Sequence, residues 1–294
     1  MRSVLEQDYA DIEYVVVDGG STDSSLDIIK KYSDRLAWWT SEKDSGQAEA
    51  INKGFARARG EIVAWLNSDD TYLPGAVSAA VKAFENHPNA VMVYGNMLAV
   101  DENGRTINVL KYRPLSLEDL LCFQIIGQPA VFLRRAAFEK VGGLDTTFHF
   151  MLDHQLWIKL AQQGEIVHVD QLWAAARYHP QAKNRAQAPG FAREAFRVLD
   201  WALQEKAFAP IMTKITRRAC ASAYRVNARY LLDGGQPWPA LKAWTRAFAL
   251  HPPTALARLN LLVSTLLDLI GLSRIRDAIL NRRSQRLNNK FDLK

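Results

Sequence analysis

Short apolar runs alternate with stretches of helical spacing through the first part of the chain. Residues 12–18, IEYVVVD, are dominated by β-branched positions and predict a buried strand. The following GGSTDSSLDIIKKY places Leu26, Ile28 and Ile29 on a helix, and Ser24 with Asp27 predicts a capping box at its start. LAWWTSE (36–42) is a second strand. In DSGQAEAINKGFARARG, Ser45 is the expected N-cap, Ile51 and Phe55 stand one turn apart, and Gly60 follows the last periodic residue. EIVAWLN (61–67) predicts a strand, Val77, Val81 and Phe84 a helix, and AVMVYG (90–95) another strand.

The pattern changes after residue 95. DENG (101–104) is a turn, and GQPAVFLRRAAFEKVGGLD (127–145) reads as strand, short helix and glycine turn. DHQLWIKLAQQG (153–164) is a compact helix with Leu156, Trp157 and Leu160 inward, followed by two strands, EIVHVD and LWAAARY, that lead to His179. From residue 190 only helical periodicity remains, in segments 190–206, 211–233, 238–250, 255–268 and 274–283, punctuated by Pro210, DGGQPWP and HPP. Strands alternating with amphipathic helices predict a mostly parallel open α/β sheet, whose ligands gather beyond the carboxyl ends of its strands. The expected division is residues 1–185 as the α/β domain and 186–294 as a helical extension. The first strand begins only at residue 12, after the helix-like RSVLEQDY, whereas a doubly wound unit opens with a strand before that helix. The α/β domain is therefore expected to lack its first strand, through a shortened gene model or in a truncated, weakened enzyme.

Composition adds little to the fold and something to the surroundings. Hydrophobic residues make up 48 % of the 294, enough for a sizeable core. The net charge of +6 is concentrated at the end: residues 274–294 hold seven Lys or Arg against two Asp. RIRDAILNRRSQR is either a basic amphipathic element riding on anionic lipid or a solvated end. No basic stripe interleaved with aromatics marks a nucleic-acid surface. Cys122 and Cys220 have no metal-ligand spacing and are expected as free thiols. The opening residues carry no apolar signal-peptide core, and LNLLVSTLLDLIGL (259–272) is short and interrupted by Asp268. A cytoplasmic protein is expected, in peripheral contact with the inner face of the plasma membrane through its basic C-terminus.

Candidate chemistry sits at strand ends. Asp69 and Asp70 in WLNSDDTYLPG follow an apolar strand, where two carboxylates are either part of a polar turn or a site for a hard cation that relieves their repulsion. Asp18 precedes GGSTD, whose glycines let a ligand approach the backbone, and its carboxylate can accept from a base or sugar. Asp44 stands ahead of a helix as a cap or a ligand contact. Asp153 is an N-cap or a general base, with His154 packing beside it. His179 follows a strand as a cation ligand, a phosphate contact or a surface residue. No G-x-G-x-x-G fingerprint supports a nicotinamide-binding domain.

Taken in order, YVVVDGGSTDSSLDII, SEKDSGQAEAINKGFARARGEIVAWLNSDD, GQPAVFLRR, VGGLD and DHQLWIKLAQQG resemble an inverting family 2 glycosyltransferase of the bacterial surface-polysaccharide type. The resemblance spans residues 1–183 and implies the GT-A fold. It implies that Asp18 contacts the nucleotide base, that Asp44 seats the nucleotide, and that Asp69 faces the donor's ribose or sugar. It further implies Asp70 as the ligand of Mn²⁺ or Mg²⁺ on the diphosphate of a nucleotide-sugar donor, UDP-sugar foremost. Asp153 falls at the catalytic base, although Leu152 replaces the acidic residue often found before it. His179 and Lys183, in YHPQAKN, match the segment that closes over the diphosphate, with His179 as a second metal ligand. The implied partners are the donor and a glycan or lipid-linked glycan acceptor. A nucleotidyltransferase and a catalytically inactive binding protein are the alternative readings.

Overall fold

A computed structural model describes residues 1–178, 187–274, 282, 285–288 and 290–291. The chain divides into two compact units. One comprises Met1–Leu98, Leu110–Pro114 and Ile126–Ala176, and the other Ala99–Val109, Leu115–Ile125 and Arg177–Lys294.

The first unit begins with a short helix, α1 (Arg2–Leu5), ahead of strand β1 (Val15–Asp18). Helix α2 (Ser25–Lys31) crosses over to β2 (Trp38–Ser41), which pairs with β1 in parallel, Val15 opposite Trp38 and Asp18 opposite Ser41. The expected capping box at Ser24 does not form. Asp23 takes that place, its Oδ1 accepting from the Ser25 N–H at 2.9 Å. Helix α3 (Gln47–Arg57) lies on β1: Gly54, lacking a side chain, brings its backbone against Val17 and Val15.

The second sheet holds the remaining described strands: β3 (Ile62–Val63), β4 (Thr71–Tyr72), β5 (Ala90–Val100), β6 (Thr106–Leu110), β7 (Val131–Arg134) and β8 (Glu165–Arg177). Their order is β3-β7-β5-β8-β4, with β6 on β5. The pairs β3·β7, β5·β7 and β4·β8 are antiparallel. The expectation of a mostly parallel sheet is therefore corrected: the fold is α/β with mixed strand directions. An apolar run reports that a strand is buried, and it carries no information on direction. Helix α4 (Ala76–Asn86) leads into β5; α5 (Leu117–Leu121) belongs to the second unit, while α6 (Arg135–Lys140) and α7 (Leu152–Ala161) follow later in the first. Two local readings change with it. Of EIVAWLN, only Ile62 and Val63 join the ladder, and EIVHVD with LWAAARY form one continuous strand, β8. Met92, Val93, Tyr94, Leu133, Leu156, Trp157 and Ala174 are fully buried around this sheet.

The second unit is helical beyond residue 187: α8 (Ala188–Gln204), α9 (Ala209–Asp233), α10 (Pro237–Leu250), α11 (Pro252–Leu256) and α12 (Leu259–Leu269). Ala221, Ala228, Ala240, Ala243 and Ala247 surround Trp244 and Leu261 in its core. Small side chains at the contact let helix axes approach closely, and the single indole fills the space they leave. The segment expected as one helix over 255–268 is broken between α11 and α12. The basic run at 274–294 lies mostly outside the described residues. No helix among the described residues is long and apolar enough to cross a membrane.

Candidate functional site

Asp18 ends β1 and is 9 % exposed. Its Oδ2 accepts from the backbone N–H of Gly20 at 3.1 Å and of Ser21 at 2.9 Å, and from the Ser41 hydroxyl at 2.6 Å. Its Oδ1 accepts from the Ser21 hydroxyl. Together these donors, the Ser21 hydroxyl first, hold the carboxyl below its ordinary range against the opposing effect of burial. A carboxylate offers about four lone-pair sites. Of the four donors on Asp18, three share Oδ2 and one is on Oδ1, so Oδ1 is the less crowded of the two oxygens. The parallel register explains the arrangement, because it sets Ser41 directly across from Asp18.

Asp44 closes over the same loop. Its Oδ1 accepts from the Gly46 N–H at 3.0 Å. A Cβ on Gly19 would stand 2.7 Å from Asp44 Oδ2, so only glycine admits the carboxylate at that distance. The structure thus brings Asp18 and Asp44 to one loop mouth. Gly46, at φ +139°, is the N-cap of α3, a backbone conformation that side chains rarely adopt. A Cβ there would lie 3.6 Å from Nδ1 of His149, an exposed residue more than a hundred positions away. Nothing in the sequence signals that proximity.

The acidic pair is organised by Asn67. Asp70, also 9 % exposed, accepts at Oδ2 from Asn67 Nδ2 at 3.1 Å. The same Nδ2 donates to Gln128 Oε1 at 3.2 Å, and Asn67 Oδ1 accepts from Gln47 Nε2 at 2.6 Å. Gln128 Nε2 in turn donates to the Trp65 carbonyl at 2.7 Å. This relay joins the first residue of α3 to the acidic pair and to the turn before β7. Asp69, beside it, is half-buried. Tyr72 is buried next to the pair, and burial, with Tyr14 and Asp70 adding to it, pushes its phenol well above the usual range. Gln47, Asn67 and Gln128 were each within stretches that the sequence singled out, yet a sequence does not say that their amides meet.

Asp153 is the second residue of α7, and Met151 takes the N-cap position. Asp153 Oδ1 accepts from the His154 N–H at 2.7 Å, while the His154 ring is buried, 1 % exposed. One turn further on, Trp157 stacks on Trp65 with ring centroids 5.4 Å apart and planes 27° from parallel. Trp65 precedes Asn67 by two residues, so this stack ties the beginning of α7 to the chain carrying the acidic pair. Asn52 fastens α3 to VGGLD, donating to the Leu144 carbonyl at 2.8 Å and accepting from its N–H at 3.0 Å. His179 and Lys183 lie outside the described residues. Among the described residues, no three His, Cys, Asp or Glu side chains gather into a metal centre.

Comparison with known proteins bears on these residues. Residues 1–143 match Glycosyl transferase family 2. An uncharacterised glycosyltransferase of Rickettsia typhi is 26 % identical over 185 residues, 60 % of this chain and 58 % of that protein. One from Nostoc is 37 % identical over 111 residues, 37 % of this chain and 34 % of the relative. One from Mycobacterium tuberculosis is 30 % identical over 167 residues, 55 % and 62 % respectively. The chain thus spans less than two thirds of the length of each. Among solved structures, the mannosyltransferase PcManGT from Pyrobaculum calidifontis, in complex with GDP-Man and Mn²⁺, superposes with a TM-score of 0.59 at 20 % identity, covering 100 % of this chain and 82 % of that one. S. aureus TarS 1-349 in complex with UDP gives 0.52 at 16 %, covering 88 % and 86 %. The acidic pair, the Asp18 loop and Asp44 all lie inside the residues that match glycosyl transferase family 2, and the solved structures share the chain's GT-A-like α/β fold.

Proposed function

We propose that the protein transfers a sugar, with inversion, from a nucleotide diphosphate sugar to a hydroxyl of a glycan or lipid-linked glycan. The observation that carries the reading is the Asp44 carboxylate lying on Gly19 beside Asp18, within the residues matched to the family. Those two carboxylates bind the nucleotide, Asp18 at the base and Asp44 alongside it, and Asp69 faces the donor's ribose or sugar. UDP-sugar is the first donor to test. The relatives' structures held UDP in one case and GDP-Man with Mn²⁺ in another, which supports a nucleotide-sugar donor in general.

The donor set around Asp70 fits a hard divalent cation. It offers the buried carboxylate of Asp70, oriented by the Asn67 amide, beside the second carboxylate of Asp69. A site with one or two carboxylates suits a cation shared with substrate phosphates rather than an all-protein cage. Bound there with the donor, Mn²⁺ or Mg²⁺ supplies neutralisation of the charge that develops on the departing diphosphate. Asp153 takes the proton from the acceptor hydroxyl, whose oxygen forms the new bond at the anomeric carbon as the bond to the diphosphate oxygen breaks. The backbone N–H at His154 steadies the Asp153 carboxylate for that step. His179 and Lys183 complete the diphosphate contacts in this reading, with His179 as a further cation ligand. Residues 1–185 act as the transferase part and 186–294 as a helical extension, in a cytoplasmic enzyme that meets its acceptor at the membrane.

A panel of UDP-, GDP- and dTDP-sugars with and without Mn²⁺, read by nucleotide release and by donor binding, tests the proposal. Cation-dependent release is expected with one donor, lost in Asp70→Ala. Asp153→Asn is expected to abolish transfer and to leave nucleotide binding intact; transfer at the wild-type rate in that variant refutes the base assignment. Donor binding without turnover for any acceptor would favour an inactive binding protein. Turnover of nucleoside triphosphates in place of sugar donors would favour a nucleotidyltransferase.

A further inference from the structure

Leu259, Val263, Leu266 and Ile270 are 48 %, 50 %, 44 % and 66 % exposed. The spacing i, i+4, i+7, i+11 puts all four on one narrow stripe of α12 and the residue that ends it. The opposite side of the helix is already satisfied: Leu261 and Thr265 are buried, Leu261 in the alanine-rich core. This short helix is therefore apolar on two faces, and the core accounts for one of them. An exposed, contiguous apolar stripe marks an interaction surface.

Charge says what covers it. Exposed Arg258 stands at the N-cap of α12, and exposed Arg274 follows its end. From residue 274 onward the sequence carries seven Lys or Arg against two Asp. The acidic residue of α12, Asp268, lies half a turn away from the stripe. Eleven residues at 1.5 Å rise give a helix of about 16 Å, far short of the roughly 30 Å hydrocarbon core of a bilayer. An apolar stripe with cationic flanks on a helix of that length suits one lying in the plane of a membrane surface. The same length argues against a second copy of the chain, since a stable protein interface buries about 800 Å² per partner.

We propose that α12 is an in-plane anchor for anionic lipid, with the Leu259–Val263–Leu266–Ile270 stripe among the acyl chains and Arg258 and Arg274 at the phosphates. The anchor lies wholly in the second unit, so its test needs no donor, and its failure would leave the sugar-transfer reading standing.

The test is flotation of the full chain with vesicles of phosphatidylcholine alone or mixed with phosphatidylglycerol. Binding is expected on the anionic vesicles, weaker as salt rises. Val263→Glu/Leu266→Glu should lower the partition coefficient by about tenfold or more at an unchanged melting temperature. Leu259→Ser/Ile270→Ser provides a milder pair in case the first disturbs folding, and should weaken partition in the same direction. Arg258→Ser/Arg274→Ser should reduce the preference for anionic over neutral vesicles. Absence of wild-type flotation overturns the proposal, as does wild-type partition in both apolar-stripe variants. A dimer in light scattering that dissociates in Val263→Glu/Leu266→Glu also overturns it and gives the stripe to a second copy.

Discussion

Gly19→Ala isolates Asp44 with little disturbance elsewhere. Gly19 does not occupy the left-handed region, so alanine is compatible with its backbone. The obstacle is the new methyl, which would stand 2.7 Å from Asp44 Oδ2 and 3.2 Å from its Cγ. Those atoms end a half-buried side chain, and rotating it away is the cheapest relief. The rotation breaks the 3.0 Å bond from the Gly46 N–H to Oδ1. At a site open to water that loss is about 1 kcal/mol. It is offset by about 0.4–1 kcal/mol from the stiffer unfolded chain of the alanine variant. The melting temperature should therefore barely move. Nucleotide affinity should move a great deal if Asp44 seats the nucleotide. A hydrogen bond to a charged group contributes about 1.5–3 kcal/mol, or roughly 10- to 100-fold in Kd. Calorimetric titration with UDP and GDP, beside a thermal melt, measures both. Wild-type nucleotide affinity at a wild-type melting temperature would remove Asp44 from the donor site. A large drop in melting temperature would show that the loop cannot yield at Asp44 and that the local reasoning is wrong.

Three further outcomes follow from the geometry. Asn67→Ala removes the acceptor of Gln47 and the donor of both Asp70 and Gln128, and should cost about 2–4 kcal/mol in chemical denaturation; a loss under about 0.5 kcal/mol, the range of an ordinary surface substitution, would show that the relay is not a structural unit. Asp18 has a depressed folded pKa, so its contribution to stability is complete above the unfolded carboxylate value of about 4 and is lost as pH falls through the folded one. Melting temperature should accordingly drop more steeply below pH ~4 in wild type than in Asp18→Asn, and parallel curves would contradict the assignment. Burial pushes the Cys122 thiol up to about 11, so iodoacetamide at neutral pH should modify it only after denaturation, as peptide mass spectrometry would record.

The relation of sequence to structure differs from element to element. β1, β2 and α3 were legible because each is short-range: a β-branched run, then an apolar pair one turn apart, with glycine where a side chain would not fit. The helices over 188–204, 209–233 and 237–250 were legible for the same reason, to within a few residues at their ends, whereas the expected 255–268 helix is broken in two. EIVAWLN was less so. Only Ile62 and Val63 enter the ladder, since ladder membership depends on a partner, β7, seventy residues away. The capping box at Ser24 does not form although its residues are right; the start of the helix is instead marked by Asp23, which accepts from the Ser25 N–H.

The candidate site divides along the same line. The sequence by itself determined which carboxylates end strands or begin helices, because polarity at the edge of an apolar run is a local property. It therefore picked out Asp18, Asp44, Asp69, Asp70 and Asp153. Only the tertiary structure decided that Asp44 rests on Gly19, that Asn67 joins Gln47, Gln128 and Asp70, and that Trp157 stacks on Trp65. It also decided strand direction, turning an expected mostly parallel sheet into a mixed one. These are contacts between residues far apart in the chain. Their geometry follows from how the sheets and helices pack, which hydrophobic periodicity, a record of burial alone, does not encode.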